Sequence, residues 1–128
     1  MSAKKTARPV AVAAVAANAI NVETRRLHQS LIAQVQALSA RLGDTTDPAE
    51  AEALLGEIQQ VNFRVMTAGS LLFKQTTAVI DARIADVVAA SDDLQASLGQ
   101  LKRINDLVRA TTKFLGAVDK VLGAIKLL

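Results

Sequence analysis

Proline, the residue that most strongly interrupts a helix, occurs at only two positions in this 128-residue chain, Pro9 and Pro48. Glycine occurs six times, and the sequence is dominated by Ala, Leu and Val. Ala and Leu are among the best helix formers. With so few residues to interrupt a helix, the chain is predicted to be all-α. Aromatic residues make up only 2% of it, so aliphatic side chains must form the core.

Apolar residues recur at spacings of three and four, which places them on one face of a helix. This periodicity predicts a bundle of about three long amphipathic helices in one domain. The predicted helices span residues 9–42, 48–90 and 92–128, and residues 1–8 form a basic tail. A helix of about forty residues would be about 60 Å long, with packing like that of a coiled coil.

The clearest loop signal lies between Gly43 and Glu50. Gly43 is predicted to end the first helix with a positive φ. Asp47 is predicted to cap the second helix, with Pro48 at its first position and Glu50 closing a capping box.

The boundary between the predicted second and third helices is marked by weaker sequence signals. Thr67–Ser70 contains a glycine, but apolar periodicity continues through it and predicts helix. Ser91 or Asp92 could cap a third helix, with Gln95 closing a box behind Asp92. The alternative is one unbroken helix from Pro48 to the end of the chain.

The N-terminal sequence has two interpretations. Lys4, Lys5 and Arg8 precede an Ala/Val run over residues 10–17, which is the order of charge and apolar character in a signal peptide. The run contains no Leu, Ile or Phe, so an uncleaved helix and a cytoplasmic location are preferred. Export is the alternative, if residues 1–19 act as a signal peptide.

Charge and composition also bear on the partner. The formal net charge is +3, and beyond the tail both signs are interspersed. A nucleic-acid binder concentrates Lys and Arg on one face and often adds stacking aromatics, whereas this chain has no Tyr or Trp. Nucleic acid is therefore not the expected partner.

Side chains that carry chemistry are scarce. There is no Cys, and His28 is the only histidine, with no Asp or Glu three or four residues away. No phosphate-binding glycine loop, nucleophile elbow or zinc motif is present. We therefore expect no enzyme, cofactor, metal site or small-molecule substrate, and a boundary position for His28.

Two helices carry wide apolar faces. In the second, a stripe of Leu55, Met66, Phe73 and Ile80 runs beside the main one, so this helix should contact more than one neighbour. In the last, Asn105 either fixes the register of packed helices or faces water. Seven apolar residues of the last helix are the candidate interaction residues: Leu107, Phe114, Leu115, Val118, Val121, Leu122 and Ile125.

These faces predict two classes of function. The first is a helical interaction or assembly protein, such as an adaptor, chaperone or structural subunit, whose partner is a second copy or another helical protein. The second is a surface-active protein that coats or inserts into lipid, as lipid-granule coat proteins and α-helical pore formers do. Oligomerisation is expected to complete the bundle in the first case.

Overall fold

A computed structural model describes residues 19–128, which form four α-helices rather than the three predicted. The all-α prediction is confirmed. Each helix has 20 to 23 residues and is about 30 to 35 Å long, well short of the 60 Å expected. The helices are α1 (Val22–Asp44), α2 (Pro48–Ser70), α3 (Ala78–Ser97) and α4 (Ile104–Lys126).

The helices form a bundle in which the chain alternates in direction. α1 packs against α2 and α3, and α4 packs against the same two helices, so α1 and α4 lie diagonally opposite. The connection from α2 to α3 crosses the other diagonal. The start of α1, the loop over residues 71–77 and the end of α4 share one end of the bundle, called here the lower end. The loops over residues 45–47 and 98–103 form the upper end.

The first helix within the described residues begins at Val22, so the prediction of an unbroken helix over residues 9–42 is wrong. Asn21 caps it, because its side-chain oxygen accepts a hydrogen bond of 2.9 Å from the backbone N–H of Thr24. Residues 19–21 are not helical. The predicted basic tail (1–8) and the start of the predicted helix lie outside the described residues.

The loop between α1 and α2 confirms part of its prediction. Asp47 accepts a 3.0 Å hydrogen bond from the N–H of Ala49, and Pro48 is the first residue of α2. Glu50 does not close a capping box, since it pairs with Arg41 of α1 at 3.2 Å. The positive φ predicted for Gly43 is also wrong: α1 continues through Gly43 to Asp44, and none of the described glycines has a positive φ.

The predicted second helix, residues 48–90, is divided by the loop over residues 71–77. Leu71 is buried and anchors the loop, while the carbonyl of Leu72 accepts a 2.6 Å hydrogen bond from the N–H of Asn21. Thr77 then caps α3 by accepting from the N–H of Ile80. Apolar side chains on both sides of the loop keep a helical spacing, which is why periodicity predicted a continuous helix.

The turn predicted at residues 91–93 lies inside α3, and the turn is at residues 98–103. Ser91 is fully buried and is not a helix cap. Its hydroxyl oxygen accepts hydrogen bonds of 3.0 Å from Gln34 and from Gln95. Both the predicted third helix over 92–128 and the alternative of one unbroken helix from Pro48 are therefore wrong.

All four helices contribute to a single aliphatic core. Burying a side chain of this size contributes about 1.5–3 kcal/mol relative to its exposure, so the core is the main source of stability. Among the described helices, none is both long enough and apolar enough to cross a membrane. The fully buried apolar side chains are Leu27, Leu31, Leu38, Leu54, Val61, Ala68, Ile84, Leu107, Val118 and Ile125.

Candidate interaction surfaces

The seven residues predicted as an interaction site all lie inside the bundle. Each is at most 6% exposed, and together they form the inner face of α4 against α2 and α3. In the folded chain their contacts are intramolecular. Binding to a partner through them stays a prediction, and it would require the bundle to open. The seven are Leu107, Phe114, Leu115, Val118, Val121, Leu122 and Ile125.

The outer side of α2 carries large apolar side chains that no other helix within residues 19–128 covers. Leu55, Phe63 and Met66 are 49%, 65% and 75% exposed. Successive residues turn by about 100° around a helix, so these three share one side with the exposed Gln59 and Asn62. These five residues are called here the α2 face. The predicted second stripe included Leu55 and Met66, whereas Phe63 was missed and Ile80 is buried in α3.

The α2 face carries no charge. From Leu55 to Ser70 the only charged residues are Glu57 and Arg64, which are partly buried and lie on the side of α2 that faces α4, whereas the exposed Glu52, one turn before Leu55, bounds the uncharged stretch. By contrast, the outer sides of α3 and α4 carry exposed charged residues, among them Arg83 and Asp92 on α3 and Lys113 on α4. The α2 face therefore differs from an ordinary solvated helix face in two ways. Its exposed apolar side chains are large, and it has no charged side chain.

The charged residues in the middle of α2, Glu57 and Arg64, lie at its contact with α4. Arg64 donates two hydrogen bonds to the carboxylate of Asp119, from Nε at 3.0 Å and from Nη2 at 2.9 Å. The hydrogen bond with Asp119 raises the pKa of Arg64. Partial burial raises the pKa of Glu57, and the nearby positive charge of Arg64 opposes that rise. The guanidinium of Arg64 also lies 5.8 Å from the ring centroid of Phe63, within range of a cation–π interaction.

The lower end collects exposed apolar side chains from four segments. Hydrogen bonds hold these segments together: Asn21 donates to the carbonyl of Leu72 and to the hydroxyl of Thr76, and Lys74 donates to the carbonyls of Ile125 and Lys126. The exposed fractions range from 40% to 89%. The residues are Ile20, Val22, Phe73, Val79, Leu127 and Leu128.

The two halves of the bundle also differ in charge. Dividing each helix at its midpoint leaves seven basic and four acidic side chains in the lower half of residues 19–128, a net charge of +3. The upper half holds five basic and eight acidic side chains, a net charge of −3. Lys4, Lys5 and Arg8 are joined by the chain to Ala19, at the lower end.

The remaining candidate residues form no chemical centre within the part of the chain that the structure describes. His28 is half-buried against α2, where a Cβ at Gly69 would lie 3.3 Å from its Nε2 atom. No three His, Asp or Glu side chains in residues 19–128 are grouped so that they could hold a metal ion. Asn105 is exposed, which confirms that it faces water; the buried polar pair is instead Gln34 and Ser91.

A groove of about 490 Å³ lies at the upper end between α1 and α3 and is open to solvent. Its most prominent polar group, the guanidinium of Arg41, already donates to Glu50 and to the carbonyl of Leu98.

Comparison of the chain with protein-family models, with curated proteins and with solved structures finds no match.

Proposed function

We propose that this protein is a non-enzymatic helical assembly protein that binds a second copy of itself through the α2 face. The observation that carries the proposal is the row of large, exposed, uncharged side chains on the outer side of α2. Apolar side chains of this size gain free energy when they leave water. A partner that covers them would supply the second contact that the wide apolar face of α2 requires.

The lack of charge on the α2 face favours a second copy as that partner. A dimer with two-fold symmetry brings the same surface of each chain together, so a charge near the axis meets its own kind. Leu55, Phe63 and Met66 are neutral, as are Gln59 and Asn62 between them. Two α2 faces can therefore meet without repulsion between like charges.

The distribution of charge along the bundle favours an antiparallel pair. The α2 face is centred near the midpoint of α2, which lies between the positive lower half and the negative upper half. A two-fold axis through this point sets the +3 half of each copy beside the −3 half of the other. Such complementarity favours encounter and fixes the relative orientation of the two copies.

The size of the surface agrees with a modest dimer interface. Leu55, Phe63 and Met66 leave about 380 Å² exposed if a fully exposed side chain of this size presents about 200 Å². Two copies bring together about 760 Å², while a small but specific interface buries about 1,200 Å² in total. Gln59 and Asn62, with the ends of neighbouring side chains, supply the polar remainder.

Sedimentation equilibrium of the full chain at micromolar concentration tests the proposal. We expect a mass above the 13.5 kDa of one chain. Met66→Asp places an unpaired charge within the proposed interface and removes a large apolar contact, so self-association should weaken at least about tenfold. Helicity measured by circular dichroism should not change, because Met66 is mostly exposed in the single chain.

Ala89→Asp is the matched control, since it adds the same charge to an exposed position on the outer side of α3. It should leave the mass unchanged. A wild-type chain that stays monomeric would contradict self-assembly, and a Met66→Asp chain that associates like the wild type would assign assembly to a different surface.

A further inference from the structure

We propose that the lower end of the bundle binds an anionic lipid surface, with the helices intact and directed away from the membrane. This inference concerns the single chain and does not rest on self-assembly. Its evidence comes from the ends of helices and a loop, whereas in the antiparallel pair proposed above the lower end would lie beside the negative upper half of the second copy.

Exposed apolar side chains from four segments of the chain come together at the lower end. Val22 is the first residue of α1, Phe73 is in the loop between α2 and α3, and Val79 is in the first turn of α3; all three are more than 60% exposed. Ile20 and Leu127 belong to the same end. Exposed apolar patches of several side chains mark sites that bind a partner or a membrane. Since these side chains project from an end and do not line a groove, they suit a surface that can rearrange around them.

The lower half of the described chain is positively charged. Its side chains have a net charge of +3. Basic residues close to an anionic leaflet each strengthen binding, and the attraction falls off within a Debye length.

A second copy of the chain fits the lower end less well than a lipid surface does. Two lower ends that face each other would oppose positive to positive. A lower end against an upper end would pair opposite charges, but the described loops at the upper end, residues 45–47 and 98–103, carry none of the large exposed apolar side chains. An anionic lipid surface offers both the opposite charge and an apolar layer.

The absence of tryptophan and tyrosine from the chain makes a direct test available. Phe73→Trp places a single fluorophore at the lower end, where Phe73 is 62% exposed and a larger ring can be accommodated. Gln100→Trp places the same fluorophore at the exposed upper end. With vesicles that contain phosphatidylserine, the emission of Phe73→Trp should shift to shorter wavelength, whereas that of Gln100→Trp should not. Equal shifts in both variants, or none in Phe73→Trp, would overturn the proposal.

A second pair of variants measures binding itself. Phe73→Asp should reduce cosedimentation with phosphatidylserine vesicles at least about tenfold, while the matched Gln100→Asp should bind like the wild type. Binding of the wild type should also weaken on raising the salt concentration or on replacing phosphatidylserine by phosphatidylcholine. Unchanged binding by Phe73→Asp would overturn the proposal. So would a wild-type chain that ignores vesicles but loses mass in solution on Phe73→Asp substitution, because the end would then be an interface between protein chains.

Discussion

Helices α2 and α4 have similar lengths and lie side by side, yet their apolar residues are used in opposite ways. The large apolar side chains of α4 face the core from Leu107 to Ile125, and its outer side is charged. α2 buries Leu54, Val61 and Ala68, but it also presents Phe63 and Met66 to solvent. The more strongly amphipathic helix is thus the one whose apolar face is completely covered.

Strong amphipathicity indicates an apolar face that the neighbouring helices can cover completely. A helix with one narrow apolar face needs one set of neighbours, and α4 finds them in α2 and α3. When apolar side chains surround most of a helix, some of them remain exposed after the bundle has formed. Surplus apolar surface beyond one face, as on α2, is therefore the better indicator of an intermolecular contact.

The largest expected difference between the two helices is in how folding responds to a charge placed on each of them. Leu122→Asp on α4 is expected to unfold the chain, because Leu122 is 3% exposed and an unpaired buried carboxylate costs at least about 3 kcal/mol. Met66→Asp on α2 should leave helicity unchanged. Circular dichroism during thermal unfolding compares the two variants directly.

Lys113→Asp is the control for Leu122→Asp, since it changes charge on the exposed side of the same helix. It should remain folded. A folded and fully helical Leu122→Asp chain would mean that the inner face of α4 is not required for the bundle, and the seven residues predicted from the sequence would again become candidates for an intermolecular site.

A smaller effect tests whether the outer side of α4 is free. Gly116 is an exposed glycine inside the helix, and a Cβ there would have no atom within 4 Å. Gly116→Ala should stabilise the fold by about 0.5–1 kcal/mol, because Ala loses less backbone freedom in a helix. Gly43→Ala in α1, which also has open space, should give the same gain in chemical denaturation. A loss at Gly116 beside a gain at Gly43 would indicate that α4 has a partner on its outer side.

The smallest effect concerns Glu57, in the contact between the two helices. Burial raises the pKa of Glu57 above its ordinary value of 4.5, with Arg64 opposing the shift. A carboxyl group whose pKa is higher in the folded state contributes its full stability below the unfolded pKa and loses it as pH rises through the folded pKa. Glu57→Gln should therefore raise the melting temperature at pH 7, by less than Gly116→Ala does. The difference between Glu57→Gln and wild type should change sign or disappear below about pH 4.

The sequence was sufficient to predict those parts of the fold that depend on local chemistry. Asp47 and Pro48 define the start of α2 through a side-chain cap and a fixed φ, and neither requires knowledge of the other helices. The all-α class follows in the same way from helix propensity.

The missed boundaries depend on contacts between distant segments. The loop over residues 71–77 is held by the hydrogen bond from Asn21 to Leu72, and no pattern within the loop reveals it. Ser91 resembles a helix cap in sequence, but Gln34, 57 residues away, holds its hydroxyl inside the bundle. For the same reason the inner face of α4 could not be distinguished from an exposed one before the packing of the other three helices was known.

The distance between spin labels in two copies of the chain tests the central claim most directly. The chain has no cysteine, so single labels can be attached after Gln60→Cys, at the midpoint of α2 and the margin of the α2 face, and after Thr46→Cys, at the exposed upper end. An antiparallel pair through the α2 face predicts a separation below about 20 Å between the labels at position 60. Position 46 lies about 20 Å from the axis by the helical rise, so its labels should be about 40 Å apart. No dipolar coupling at position 60, or a shorter separation at position 46 than at position 60, would contradict the account.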